Sequence, residues 1–208
     1  MRRTVRFQTL FIAAILAGIA TGVPGQQPSP PLLSKGFWDS LGSNAGNLPA
    51  PGKTKTAGGL GGVDFTDVRP GAILVGLEVW KGEYAGDDVI RAIRPIYETA
   101  TGRVTGRIYG RKAGSSTKME AREGFAVSGI EVRVAGEVVE DIKVLFWQIH
   151  ETGPSLDAEG SYKEESDAES RGGKPFRQLS ANGKIVVGIF GGSAYAVDSI
   201  GLLYIDRN

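Results

Sequence analysis

Val187-Gly188-Ile189-Phe190-Gly191, then Val197-Asp198-Ser199-Ile200, reads as two short strands joined by a turn, and the same pattern occurs twice earlier in the chain. The first copy is Val75-Gly76-Leu77-Glu78-Val79 with Ile90-Arg91-Ala92-Ile93. The second is Ser128-Gly129-Ile130-Glu131-Val132 with Val139-Glu140-Asp141-Ile142. Each unit is a Gly-aliphatic strand, a turn, and a second strand that opens aliphatic-x-x-Ile. The landmark glycines 76, 129 and 188 stand 53 and 59 residues apart, and each lies 17, 13 and 12 residues before its closing isoleucine. One hairpin buries one face only, so three must pack together to share a core. Three antiparallel four-stranded sheets with pseudo-threefold symmetry meet that need. A seven-stranded sandwich requires no threefold echo, which separates the two readings.

Composition agrees with an all-β chain. Glycine supplies 31 of 208 residues, interleaved with Val, Ile, Phe and Tyr, as expected for many short strands joined by tight turns. Collagen would need glycine at every third position and is excluded. Helical periodicity is weak outside the N-terminus. There, Arg2, Arg3 and Arg6 precede an apolar run from Leu10 to Ala20 and then the small residues Gly22 and Gly25. Eleven residues rise only about 16 Å as a helix, against a hydrocarbon core of about 30 Å. Residues 1–25 therefore read as a secretory signal, with a membrane-tethered N-terminus as the competing reading. Its removal takes away three arginines and no acid, so the net charge of +1 becomes −2. Nothing in that balance invites nucleic acid or an anionic membrane surface. With no cysteine, disulfides, thiol nucleophiles and Cys-zinc sites are excluded.

Residues 26–57 are rich in Pro, Gly, Ser and Asn and read as a partly extended linker. Within them Phe37, Trp38 and Leu41 offer one apolar turn able to dock on a neighbour, although a weakly ordered spacer is the simpler reading. Residues 58–208 form the expected domain.

Two stretches of that domain carry a family resemblance. Gly58-Gly59-Leu60-Gly61-Gly62-Val63-Asp64-Phe65-Thr66-Asp67 is similar to the Gly-Gly-x-Gly-Gly-x-x-Phe-x-Asp opening of jacalin-type lectin domains. The run from Val186 to Gly191, with Val197 to Leu202, resembles the closing strands of the same family. Between them, Ile93-Arg94-Pro95-Ile96-Tyr97 and Gly124-Phe125-Ala126-Val127 resemble a jacalin-like subgroup found in secreted proteins of undetermined function. The resemblance covers residues 58–205. It implies the β-prism I fold and a shallow sugar site at one end of the prism. That site combines a glycine of the opening loop with a Gly-x-x-x-Asp loop, whose carboxylate and backbone N–H groups bond sugar hydroxyls.

Carried onto this chain, the resemblance selects Gly62, Tyr195, Ala196 and Asp198 as carbohydrate-binding residues, with Tyr195 offering an aromatic face. The leading glycine of the loop is replaced by Ala194, which costs about 1 kcal/mol if that position needs a positive φ. The second repeat offers Gly136 and Glu140 as a secondary site, and the first has Arg91 where Asp198 stands, so no matching site is expected there. Multivalency would then come from a homo-oligomer. Trp80 and Tyr84, flanking the first turn, are a secondary candidate surface.

Catalysis, metals and cofactors have little to work with. His150 stands alone at the exit of an apolar run, no Gly-x-Ser-x-Gly elbow surrounds a serine, and the acids from Asp157 to Glu169 lack the spacing of an EF-hand loop. The acids read as a solvated loop, and Phe125, Phe146, Trp147 and Phe190 as core. The expected function is a secreted or periplasmic, non-catalytic carbohydrate-binding module with glycans as partners. The alternative is a β-prism without sugar, serving as a structural or protein-interaction domain.

Overall fold

The computed structural model describes residues 33–42, 50–150, 156–166 and 174–205, and the expected export signal lies outside them. The chain enters through helix α1 (Lys35–Gly42) and strands β1 (Gly52–Lys53), β2 (Ala57–Gly58) and β3 (Val63–Val68). The first repeat contributes β4 (Ala72–Tyr84), β5 (Asp87–Thr99), β6 (Gly102–Thr105), β7 (Tyr109–Gly110) and β8 (Ser115–Glu120). The second contributes β9 (Phe125–Ala135), β10 (Val138–Ile149), β11 (Leu156–Glu165) and β12 (Arg177–Ser180). The last holds β13 (Ile185–Ser193) and β14 (Val197–Ile205).

The first two repeats each make a Greek key: a hairpin, a third strand beside its second arm and a fourth beside its first. The spatial orders are β6-β5-β4-β8, with β7 also on β5, and β11-β10-β9-β12. The last repeat has only its hairpin, and the chain's own start completes it. Strands β1 and β2 pair with β14, and β3 pairs with β13. The glycine-rich opening is thereby delivered to the final turn.

The repeated glycines have one physical cause. In each central hairpin the residue before the glycine (Val75, Ser128 or Val187) is skipped in the pairing, which is a β-bulge. The bulged carbonyls of Val75 and Ser128 accept from Ala121 N at 2.7 Å and Ala181 N at 3.0 Å. Beside each bulge the neighbouring outer strand comes so close that a Cβ on Gly76, Gly129 or Gly188 would press on a backbone carbonyl, of Met119, Leu179 or Asp67. Any other residue would push that strand away. The bulge bends the strand and adds twist, so each sheet curls round the common centre.

That centre is filled by the repeat itself. Leu77, Ile130 and Ile189, following the three glycines, are fully buried, and so are Ile93, Ile142 and Ile200, which close the three units. Phe146 is fully buried as expected, while Phe125, Trp147 and Phe190 pack only partly against the core.

Four strands per sheet holds with one refinement: two sheets have their outer strand broken into a pair of short pieces, β1 with β2 and β6 with β7. The register slips by one residue across each break. In β5 the cause is Pro95. Its carbonyl accepts from Gly106 N at 2.9 Å on the side where its own N–H is missing, so the ladder stops there.

Asp67, the last residue of the opening motif, clamps two sheets together. The buried Tyr97 hydroxyl donates to its Oδ1 at 2.8 Å, and Arg107 N and the Tyr109 hydroxyl donate to its Oδ2 at 2.9 and 3.1 Å. Burial and the facing carboxylate push the Tyr109 phenol up to about 12 and raise that of Tyr97 still further. Phe65 stacks on Tyr109 with ring centroids 4.2 Å apart, sealing the same seam.

Two expectations need correction. The linker reading of 26–57 fails over its described part: Leu33, Phe37, Trp38 and Leu41 are buried in the common core, and residues 52–53 and 57–58 are sheet. Five apolar residues at Leu33, Phe37, Trp38, Leu41 and Ala57 outweigh the loop-like composition around them. The acidic stretch is likewise a strand over 156–165. Two of its acids are tied to neighbouring strands, Glu165 accepting from Lys143 at 2.6 Å and Glu164 accepting from Glu120 N at 3.0 Å, while Glu159 stays exposed. Asp167 and Glu169 lie outside the described residues.

The turn of the first hairpin holds a strained residue. Ala85 and Gly86 connect Tyr84 to Asp87 with φ of 55° and 91°, the signs of a type I′ turn. Ala85→Gly is expected to stabilise the protein by about 0.5–1 kcal/mol in urea unfolding, since alanine in the left-handed region bears a Cβ clash that glycine lacks.

Candidate functional site

Closing the third sheet with the chain's start brings four segments to one end of the prism. They are the loop 58–62, the β13–β14 turn, the β9–β10 turn and Arg91 of β5. Gly59 N donates to both Asp198 O at 2.9 Å and Glu137 O at 3.0 Å, so the opening loop is pinned between the second and third hairpins. Arg91 Nε donates to Tyr195 O at 2.9 Å, which ties the first hairpin to the same turn.

Of the predicted residues, Gly62, Tyr195, Ala196 and Asp198 come together here. A Cβ on Gly62 would lie 2.5 Å from Asp198 Oδ2 and 2.6 Å from Ser193 N, and Gly62 also has φ +77°. Two separate constraints therefore demand glycine at this position. Gly61 approaches the other oxygen: its Cβ would stand 2.7 Å from Asp198 Oδ1. Tyr195 projects into solvent at 58% exposure, with the Arg111 guanidinium 5.9 Å from its ring centroid, while Ala196 is buried. Ala194 is not among the residues of positive φ, so it replaces glycine there without backbone strain. Its N–H donates to Ala196 O at 3.0 Å, closing the turn.

The carboxylate of Asp198 is the unusual group. Oδ2 is buried and has no hydrogen-bond partner among the described residues. Burial raises the pKa, and the nearby Glu137 charge adds to that, outweighing the opposing backbone N–H groups of Asp198 and Ala194. Glu137 was not foreseen from the sequence. It occupies the second position of a tight turn whose first residue, Gly136, has φ +58°, and only the threefold packing carries it to the opening loop.

The secondary pair is not assembled in the same way. Gly136 shapes its turn, but Glu140 Oε2 faces the buried Arg133 Nε at 3.3 Å, and Arg133 also bonds the fully buried Asp141 at 2.9 Å. Glu140 thus belongs to an ion-pair network within its own hairpin. Trp80 is buried beneath Arg94 and Lys112, at 5.5 and 4.5 Å from its ring, so only Tyr84 of that candidate surface is exposed. His150 sits on the surface with Nε2 3.2 Å from Asp157 Oδ2.

Three curled antiparallel sheets round one core, the last closed by the chain's own beginning, are a β-prism of the jacalin-like lectin type. Solved structures agree. Malaysian banana lectin superposes with a TM-score of 0.54 at 14% identity, over 76% of this chain and 99% of that one. A mannose-binding jacalin-related lectin from Ananas comosus gives 0.53 at 14% identity, over 76% and 99%. Calystegia sepium agglutinin gives 0.54 at 14% identity, over 77% and 99%. No protein-family model matches the sequence, and no curated protein does.

Proposed function

We propose that this protein is an exported, non-catalytic lectin that binds a glycan at the prism end where Gly62, Tyr195, Ala196 and Asp198 meet. The observation that carries the reading is the buried Asp198 Oδ2, which accepts from no donor among the described residues. A buried acceptor left unbonded costs about 1–3 kcal/mol, and a sugar hydroxyl is a donor of the right size to satisfy it. The hydroxyl reaches Oδ2 as the backbone of Gly61 and Gly62 moves outward, a shift that a loop of four glycines in five residues accommodates at low steric cost. Tyr195 then lies exposed beside the ring's apolar face. The solved lectins of this fold include one described as mannose-binding and one in complex with a biantennary N-glycan, which supports sugar as the ligand class.

A glycan array probed with the chain from residue 26 tests this. Binding to a defined set of glycans is expected. Silence across the array at high protein concentration would instead favour a β-prism that serves as a structural or protein-interaction domain.

A further inference from the structure

The outer face of the third sheet carries a groove that the Asp198 site does not use. Pairing places Asp64, Gly192 and Ser199 in one row across β3, β13 and β14, and Thr66, Phe190 and Gly201 in the next row on the same face. Gly201 has no side chain, and the Phe190 ring leans into that space. A Cβ on Gly201 would stand 2.5 Å from the ring, and Lys53 Nζ lies 5.1 Å from its centroid. Gly192, also without a side chain, lets the Gly61 carbonyl lie directly on the sheet. Between the leaning ring and the opening loop runs an open groove of about 330 Å³. Phe190 and Leu60 line it, and Lys53, Thr56, Asp64, Thr66 and Ser199 supply its polar side chains.

We infer that this groove holds the continuing residues of an oligosaccharide whose terminal sugar is bound at Asp198; the inference rests on the lectin reading above. The two sites are contiguous, because Gly61 lines the groove and also abuts Asp198 Oδ1. The lining selects the ligand class. A hexose presents a C–H face to an aromatic ring and hydroxyls at its rim, which matches the Phe190 ring with three hydroxyls, a carboxylate and an ammonium around it. A phosphate would meet the Asp64 carboxylate beside Lys53, and a hydrocarbon ligand would take water from the Asp64 carboxylate and the Thr56 and Thr66 hydroxyls without replacing it. The volume lies at the lower end of the roughly 300–1,000 Å³ of small-molecule sites, suited to a short stretch of chain.

Calorimetry with methyl glycosides and with tri- to pentasaccharides of mannose, glucose, galactose and N-acetylglucosamine tests the assignment. The wild type is expected to bind the longer members more tightly than the corresponding methyl glycoside. Phe190→Ala should remove most of that advantage, on the order of tenfold, while monosaccharide affinity stays within about twofold. Thr66→Trp keeps Phe190 in place and fills the groove from an exposed position, so it should give the same result even if Phe190→Ala loosens the sheet. Equal losses on short and long sugars in both variants, or no chain-length advantage in the wild type, would overturn the groove and leave the Asp198 site standing. Absence of wild-type binding to every sugar would overturn both.

Discussion

Asp198→Asn is expected to abolish glycan binding while leaving the fold as stable as the wild type or more so. Two charge-assisted bonds from sugar hydroxyls to a carboxylate are together worth about 3 kcal/mol, so the affinity should fall on the order of a hundredfold or more. Stability should hold or rise, by no more than about 1 kcal/mol, because the variant removes a partly buried charge repelled by Glu137 and keeps an oxygen for the backbone N–H groups. The new amide N–H, with no acceptor beside it among the described residues, limits the gain. A residue serving only to cap its turn would show the reverse, losing stability with no selective effect on sugar. The pH dependence carries the same sign. A carboxyl with a raised folded-state pKa detracts from stability above that pKa, and the deficit shrinks as pH falls towards the ordinary value of about 3.9. The stability gap between the Asp198→Asn variant and the wild type should therefore be widest at neutral pH and close on acidification. Glycan affinity should weaken over the same window, since a proton on the carboxylate displaces a hydroxyl donor. Thermal melts and calorimetry from neutral pH down towards the ordinary carboxylate range read both.

The second large effect concerns the helix ahead of the prism. Trp38→Ala is expected to cost about 3–5 kcal/mol in denaturant unfolding, the usual penalty for emptying a large buried aromatic site. Trp38 is 6% exposed and meets Phe37 edge-on at 5.3 Å, alongside the buried Leu33 and Leu41. Trp38→Phe should cost far less, because the indole N–H is buried with no hydrogen-bond partner among the described residues and its loss forfeits nothing. A flexible spacer would make both substitutions neutral.

That helix shows where the sequence was hard to read. Its eight residues include Gly36, Asp39 and Gly42, and an isolated helix so short is unstable in water. Its stability comes from the core contacts of Phe37, Trp38 and Leu41, which composition around them conceals. The three hairpins, by contrast, were legible because the same bulge and the same glycine-to-carbonyl approach recur at residues 76, 129 and 188. The outer strands are less legible because their registers break at Pro95 and in the β1–β2 pair, and because β11 exposes half its length and alternates too little. At the candidate site, the glycines and Asp198 could be found from local motifs. Glu137, Arg91 and the groove beside Phe190 could not, since each depends on residues from different repeats meeting at one end or on one face.

A crystal structure of the chain from residue 26, grown with the tightest glycan found on the array, tests the central claim most directly. The account predicts a sugar hydroxyl within hydrogen-bond distance of Asp198 Oδ2, the Gly61–Gly62 backbone displaced outward, and β3 still paired with β13. Sugar bound elsewhere with Asp198 still covered, or a third sheet closed by anything other than the chain's start, would contradict it.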